Sequence, residues 1–452
     1  MFSTRVECCV SEHPDFADEQ VCEFVNLVAW NNTLLVVTPT PPPSLPRILI
    51  AWEKTYEGDE VLRLEHTTPQ ALASAMRSAL GVGPESSEAA PELELVSRAG
   101  LFHQQHAVNF YHLFSEILPT MHALLCSRWP DTCGERPAPD LRLFWVNWKS
   151  PARPESLRFH SPPAVRDALA CLSSSETLNV AEATLGPQGA QSLVSDSGRG
   201  PAHKGLVFRQ ALVGLPRASR VYHQKRPEWK ARFSDPPEAE LMRSYRRRMA
   251  ACLGVPFADA RAPLDPIRVT LVNRPYEAGR SLLNAHTVAQ RIREHAVALG
   301  IEDVEVNVLY LEGSLREQAR AVAASSLYIW CHGAAMAHAF FLPAGARAVE
   351  LVQWPVKDPA DQHVWVRGIK KAFRLDVGLN VVVNDDQRYN FFNQEILRAP
   401  GSQYHKFNDT EKVNLIERLE CPTSEYANGG ECFGWFHWGM SFVLKYDLLK
   451  PK

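Results

Sequence analysis

His332-Gly333-Ala334-Ala335 stands where an apolar run, Tyr328 to Cys331, meets a stretch able to form a helix. Three small residues in a row let a ligand come close to the backbone, and the first N–H groups of a helix lack intrahelical acceptors. Bare N–H groups at the positive end of a helix dipole suit an anion such as phosphate. The same residues also suit a plainer arrangement, in which His332 caps the helix and the alanines pack it on a sheet. Arg274 ends a second apolar run, "VTLVN", and Arg280 comes one turn of chain later. Two guanidiniums at a strand's carboxyl end can clamp phosphate oxygens in bidentate fashion. Arg274, fixed by its strand, is the stronger candidate, and Arg280 alone reads as a surface residue. Glu350 ends the strand after the His-Gly helix, a place from which a carboxylate can accept from ribose hydroxyls.

A different chemistry is offered by Asn109, His112 and Glu116, which helical spacing sets one turn apart on a shared face. They lie opposite an apolar stripe of Phe110, Phe114, Ile117 and Met121. A histidine or carboxylate there can act as general base if the face lines a cleft. An amphipathic helix with its polar side in water fits the spacing equally.

The elements that must hold these residues are legible from Pro266 onward. "IRVTLVNR", "VEVNVLYLE", "SLYIWCHG" and "ARAVELVQ" read as buried strands. Between them "SLLNAHTVAQRIREHAVALG", "SLREQARAVAAS" and "AAMAHAFFLP" read as helices. Such alternation means βαβ crossovers and a parallel sheet covered on both faces. Sheets of that kind bind ligands outside the carboxyl ends of their strands, so the chemistry is expected just after Val272, Trp330 and Val349. No G-x-G-x-x-G dinucleotide fingerprint stands at any strand-to-helix turn, which disfavours a nicotinamide oxidoreductase.

The N-terminal half is less regular. "LLVVTPT" and "PRILIAW" suggest short strands around a proline cluster, residues 83–95 a loop, and the text from Gly100 a helix. "LRLFWVNW" reads as a short buried strand, and 149–204 as surface elaboration rich in Pro, Ser and Gly. Residues 236–255 form a helix whose run Arg246 to Arg248 is expected to face solvent rather than a polyanion. No repeat of 20–50 residues marks a solenoid or propeller.

Of 452 residues, 45% are hydrophobic and 22% charged, enough to bury a full core and to rule out wholesale disorder. A net charge of −3, with spread basic residues, argues against a partner held by nucleic-acid phosphates. No apolar run reaches the ~20 residues that cross a bilayer, and the first residues lack the apolar core of a signal peptide. Seven of the ten cysteines cluster: Cys8, Cys9 and Cys22, then Cys126 with Cys133, then Cys421 with Cys432. None forms a Cys-x-x-Cys pair or spaces with histidine as a zinc site does. The close pairs read as loop-closing disulfides rather than buried thiols, and the sequons at Asn31 and Asn408 agree with a secretory setting.

Four segments, "VCEFVNLVAWNNTLLV", "NFYHLFSEILP", "VTLVNRPYEAGRSLLN" and "SSLYIWCHGAAMAHAFFLPAGARAVELVQ", with a weaker "HKFND" at 405–409, resemble glycosyltransferase family 61. The likeness is to its EGF-domain-specific O-GlcNAc transferase and plant-type β-1,2-xylosyltransferase branch. The family pattern, similar to H-G-A-G-L-T-H/N and then F-L-P-x-G-A-x-V-x-E-L, stands here as His332 to His338 and Phe341 to Leu351. The resemblance spans residues ~20–410, apart from 149–204. It implies a donor diphosphate site at His332, Gly333 and Ala334 with Arg274 and Arg280 as basic partners, and puts Asn109, His112 and Glu116 on the acceptor side. Ala335 replaces a usual glycine, and Pro275 a frequent Ser or Thr, which removes a hydroxyl and an N–H.

The resemblance further implies an α/β fold of GT-B-like architecture, two Rossmann-like domains facing a cleft with the donor half C-terminal. Residues 1–255 would be the acceptor-side domain, 260–400 the UDP-sugar-binding domain, and 401–452 a tail packing back across both. The expected activity is inverting transfer of xylose or N-acetylglucosamine from a UDP-sugar to a glycan or glycoprotein hydroxyl, as in β-1,2-xylosylation of N-glycans. Glu116 or His112 would be the base and Glu350 a donor-side residue. The chain has no Asp-x-Asp triplet, the usual holder of Mn²⁺ or Mg²⁺ in nucleotide-sugar enzymes, so no metal or other cofactor is expected. The expected setting is the lumen of the Golgi or endoplasmic reticulum, with the membrane engaged only through an N-terminal anchor outside this sequence. The rival from another class is a non-catalytic glycan- or nucleotide-binding module on the same scaffold.

Overall fold

The computed structural model describes residues 3–10, 20–30, 33–46, 48, 64–79, 93–102, 110, 113–146, 163–175, 177–180, 183–184, 204–214, 236–256, 266–275, 280–353, 375–384, 390–392 and 440–442. The chain divides into two compact units, Met1–Leu253 and Gly254–Lys452.

The first unit is built on an eight-stranded mixed sheet of β1 (Arg5–Val10), β2 (Gln20–Trp30), β3 (Thr33–Val37), β4 (Leu64–Thr67), β5 (Leu93–Phe102), β6 (Leu141–Trp145), β7 (Leu178–Asn179) and β8 (Gly205–Val213). Its order is β4-β3-β2-β8-β5-β6-β7, with β1 beside β2. Strands β8, β5, β6 and β7 run parallel, whereas β2 is antiparallel to β1, β3 and β8. This half is therefore α/β but not a purely parallel Rossmann sheet. Among the described residues four α-helices accompany it: α1 (Pro69–Ala79), α2 (Leu118–Arg128), α3 (Pro163–Ala170) and α4 (Pro236–Leu253). Phe24, Leu27, Leu101, Phe144 and Phe208, all buried, form the centre of its core.

Three sequence expectations change here. Residues 93–102 are one strand, not the end of a loop and the start of a helix. Gly100 permits this by close packing: a Cβ there would stand 2.8 Å from Leu143 Cδ2 and 3.3 Å from Met121 Sδ. Part of 149–204 is structural rather than elaboration, since α3 buries Val165, Ala168 and Leu169, and β7 extends the sheet. The Arg246 to Arg248 run is not a solvated face. Helical spacing turns Tyr245, Arg248 and Met249 inward together, and Arg246 is buried as well; only Arg247 reaches outward, to Glu240.

Disulfides join Cys8 to Cys22 across the register of β1 and β2, Cys126 to Cys133, and Cys171 to Cys252. The second is as expected from spacing. The third links the end of α3 to α4 over 81 residues, a separation that gives no local signal. The expected Cys421–Cys432 pair lies outside the described residues.

The second unit has the expected alternation. Strands β9 (Ile267–Asn273), β10 (Val304–Tyr310), β11 (Leu327–Cys331), β12 (Arg347–Gln353) and β13 (Gly378–Asn384) form an all-parallel sheet in the order β10-β9-β11-β12-β13. Helix α5 (Ala285–Ala298) connects β9 to β10. Helix α6 (Leu315–Ala323) connects β10 to β11 and starts with a capping box of Ser314 and Glu317. One face of the sheet packs Val269, Leu271, Ile329, Cys331 and Leu351 against Leu282, Val288 and Ala289. Two short strands, β14 (Asn390–Phe392) and β15 (Met440–Phe442), pair antiparallel; the rest of the 401–452 tail is outside the described residues.

In order of appearance the five parallel strands run 2-1-3-4-5, a doubly wound arrangement. The order reverses between β9 and β11. At such a switch point neighbouring connections leave on opposite faces, which opens a crevice beyond the carboxyl ends of those two strands.

Candidate functional site

Two segments border the crevice at the switch point, the loop after Asn273 and the turn after Cys331. Asn273 closes the loop after β9: its Oδ1 accepts from Leu282 N–H at 2.8 Å and its Nδ2 donates to Leu282 C=O at 3.0 Å. Ser281 Oγ donates to Arg274 C=O at 2.6 Å. These bonds return the chain to the strand end so that Arg274 and Arg280 share one locality. Sequence reasoning missed Asn273 and Ser281, although both stand inside a segment it singled out; short polar residues flanking a loop are the signal.

Arg280 is not a surface residue. Only 4% of it is exposed, its φ is 54°, and its Nη1 donates to His332 C=O at 3.2 Å. Its guanidinium lies against Gly333, where a Cβ would come within 2.9 Å of Nη1. Gly333 has φ 149° and ψ −161°, a conformation that other residues avoid. A glycine is therefore required twice over, by its backbone angles and by the arginine beside it.

Arg274 is shielded enough that burial holds its guanidinium below the ordinary arginine value, an effect offset in part by the Cys331 thiol nearby. Among the described residues its guanidinium has no hydrogen bond or ion pair. A desolvated cation without a protein counter-charge is an unfavourable arrangement that an anionic ligand would relieve. Burial pushes the Cys331 thiol up to about 12, against the opposing pull of Arg274 and then Arg280. The thiol thus reports both cations near the end of β11.

His332 is fixed by backbone and side chain. Its N–H donates to Leu351 C=O at 2.8 Å, extending the β11–β12 ladder, and its Nδ1 lies 2.5 Å from Glu350 Oε1. Glu350 does not end its strand as expected. It sits in the middle of β12, opposite Trp330, wholly buried, and its Oε2 has no hydrogen-bond partner among the described residues. The strand runs three residues further because Leu351 and Val352 continue its buried ladder with β13.

The helix after Gly333 is a 3₁₀ helix, Ala334–Phe341, whose first i→i+3 bond runs from Met336 N–H to Gly333 C=O at 3.0 Å. Residues 335 to 341 are all buried, so tertiary packing on every side sets its tighter turns. Ala334 opens it beside Gly333, and Tyr328 OH donates to Ala335 C=O at 2.8 Å. His338 Nε2 lies 2.8 Å from Gln318 Oε1, and burial lowers the imidazole to about 4.

Structure thus brings together Arg274, Arg280, His332, Gly333 and Ala334, with Glu350 behind His332. Asn109 and His112 lie outside the described residues. Of Glu116 only the backbone is described, within a π-helical turn, Leu113–Ile117, that leads into α2. The apolar stripe of Phe110, Phe114, Ile117 and Met121 is buried as its spacing implied, but the α-helical repeat is interrupted at this turn. Single π turns inside helices often coincide with functional positions. Among the described residues there is no group of three or more His, Cys, Asp or Glu able to hold a metal ion, and no helix long and apolar enough to cross a membrane.

A family model described as Glycosyltransferase 61 matches residues 110–349, from the start of the π-turn segment to β12. No curated protein matches the chain.

Proposed function

The chain belongs to glycosyltransferase family 61, and from that premise we propose that it is an inverting transferase whose C-terminal unit binds a UDP-sugar at the β9/β11 switch point. The observation that supports this best is Arg274, a shielded cation near Cys331 with no counter-charge among the described residues, in the locality where Arg280 lies against Gly333. A diphosphate supplies the missing negative charge. Arg274 meets one phosphoryl group, Arg280 and His332 shape the floor, and Gly333 and Ala334 let the oxygens approach backbone N–H groups.

The acceptor glycan or glycoprotein is assigned to the N-terminal unit, in a GT-B-like arrangement of the two. Transfer is a single displacement at the anomeric carbon. Glu116 or His112, with Asn109 beside them, takes the acceptor hydroxyl's proton as the carbon–oxygen bond to UDP breaks. Charge developing on the leaving diphosphate is met by the arginines and backbone dipoles, so no metal ion is needed for that step. Xylose and N-acetylglucosamine are the two sugars that the likeness in motifs favours. Three disulfides fit a secretory compartment, the Golgi or endoplasmic reticulum lumen.

A donor screen by UDP release, run with EDTA present, tests the reading. Release of UDP from UDP-xylose or UDP-N-acetylglucosamine without added metal is the expected result. Activity abolished by EDTA and restored by Mn²⁺ overturns the metal-free step, and binding of UDP with no transfer to any acceptor favours a non-catalytic module.

A further inference from the structure

Glu350 is buried more deeply than a ligand-binding carboxylate needs to be. It is 0% exposed in the middle of β12, and the group that it reaches is His332. A carboxylate taken out of water is tolerated when a proton donor or cation meets it. Oε1 lies 2.5 Å from Nδ1, close enough for a direct hydrogen bond between the two side chains. His332 is meanwhile fixed along the main chain, by its N–H on Leu351 and by Arg280 on its C=O. These bonds hold the main chain at His332, and the carboxylate holds the imidazole through Nδ1.

We propose that Glu350 is a positioning residue that acts on the donor through His332. It accepts the Nδ1 proton, so any exchange of protons by the ring occurs at Nε2, and it sets the ring plane against the switch point. The inference rests on the donor-site reading above and deepens it, since it takes Glu350 out of direct contact with the nucleotide. It also explains why a buried acid stands two strands from β9, which the two arginines follow: it orients a neighbour, and the diphosphate is left to the cations.

The experiment measures UDP binding by calorimetry, and donor KM and kcat, for the wild type, Glu350→Gln, Glu350→Ala, His332→Ala and the double variant His332→Ala/Glu350→Ala. Circular dichroism and thermal melts check that each is folded. Glutamine keeps an oxygen acceptor for Nδ1–H, so Glu350→Gln retains most of the UDP affinity. Glu350→Ala loses about tenfold or more, as expected for a hydrogen bond to a charged group. The double variant loses no more than His332→Ala alone, because the two residues act as one unit. In the free protein, ¹⁵N shifts assign the His332 proton to Nδ1, and that signature moves in Glu350→Ala.

Additive losses in the double variant, or wild-type affinity in Glu350→Ala, overturn the inference. So does a ring proton absent from Nδ1 in the wild type, which also covers the case in which Glu350→Ala fails to fold. A wild type that binds neither UDP nor UMP contradicts the donor-site reading instead, and the inference falls with it.

Discussion

Gly333 shows how much a single position constrains this site. Its φ of 149° and the Arg280 guanidinium beside it both exclude a side chain. Gly333→Ala should therefore cost about 1–3 kcal/mol in stability through backbone strain and displace Arg280 as well. Urea unfolding would read the first effect and UDP titration the second; a stable variant with unchanged UDP affinity would show that neither constraint matters. Two buried histidines make a different prediction. His122 is lowered to about 3, by burial and then by Arg248, and His338 to about 4 by burial. Both stay neutral when folded, so below the unfolded value of about 6.5 the unfolded chain binds the extra protons. Stability is full above that pH and falls as pH drops towards 4, by about 1.4 kcal/mol per pH unit for each histidine. Thermal melts between pH 7.5 and 5, above the range where carboxylates titrate, should show Tm falling; a flat profile would contradict the burial of both rings. At this scale the sequence was legible where strand and helix patterns point at a residue, as for Arg274 and His332. It was not legible for Arg280, Arg246 and Arg248, because an arginine's burial depends on partners far away in sequence. Arg248 is held by His122 and the Arg136 carbonyl, over a hundred residues distant.

Among the elements, those of the C-terminal sheet could be read almost directly. Apolar runs of five to seven residues, separated by amphipathic helices, leave a parallel sheet as the natural solution. The N-terminal sheet was harder, because β5 hides its strand character behind a glycine that serves packing, and α3 and β7 lie inside a Pro- and Ser-rich stretch. The link between α3 and α4 through Cys171–Cys252 is a long-range constraint of the same sort. Closing a loop of 81 residues restricts the unfolded chain strongly, so Cys171→Ser/Cys252→Ser should cost about 3–5 kcal/mol in the chain-entropy account. Equilibrium unfolding of the double variant checks the value. Peptide mapping without reduction should recover the 8–22, 126–133 and 171–252 pairs; finding Cys171 and Cys252 alkylated in the native protein would rule out that bond.

For the whole molecule, the family explains why the match runs through both units: residues 110–349 include the π turn with Glu116 as well as the switch point. Donor and acceptor roles should then separate on mutation. Glu116→Gln should leave UDP affinity near the wild-type value while kcat collapses by two or more orders of magnitude, since a general base acts only in the chemical step. Full turnover in that variant would move the role to His112.

The central claim is that the β9/β11 switch point binds the diphosphate of the donor, and calorimetric titration in EDTA of UDP and of uridine into wild type and Arg274→Ala tests it most directly. UDP should bind the wild type far more tightly than uridine does. In Arg274→Ala that advantage should shrink about a hundredfold, the effect of a desolvated charge-assisted contact worth roughly 2–5 kcal/mol. Equal affinities for UDP and uridine in the wild type, or an advantage that survives the loss of Arg274 intact, would contradict the account.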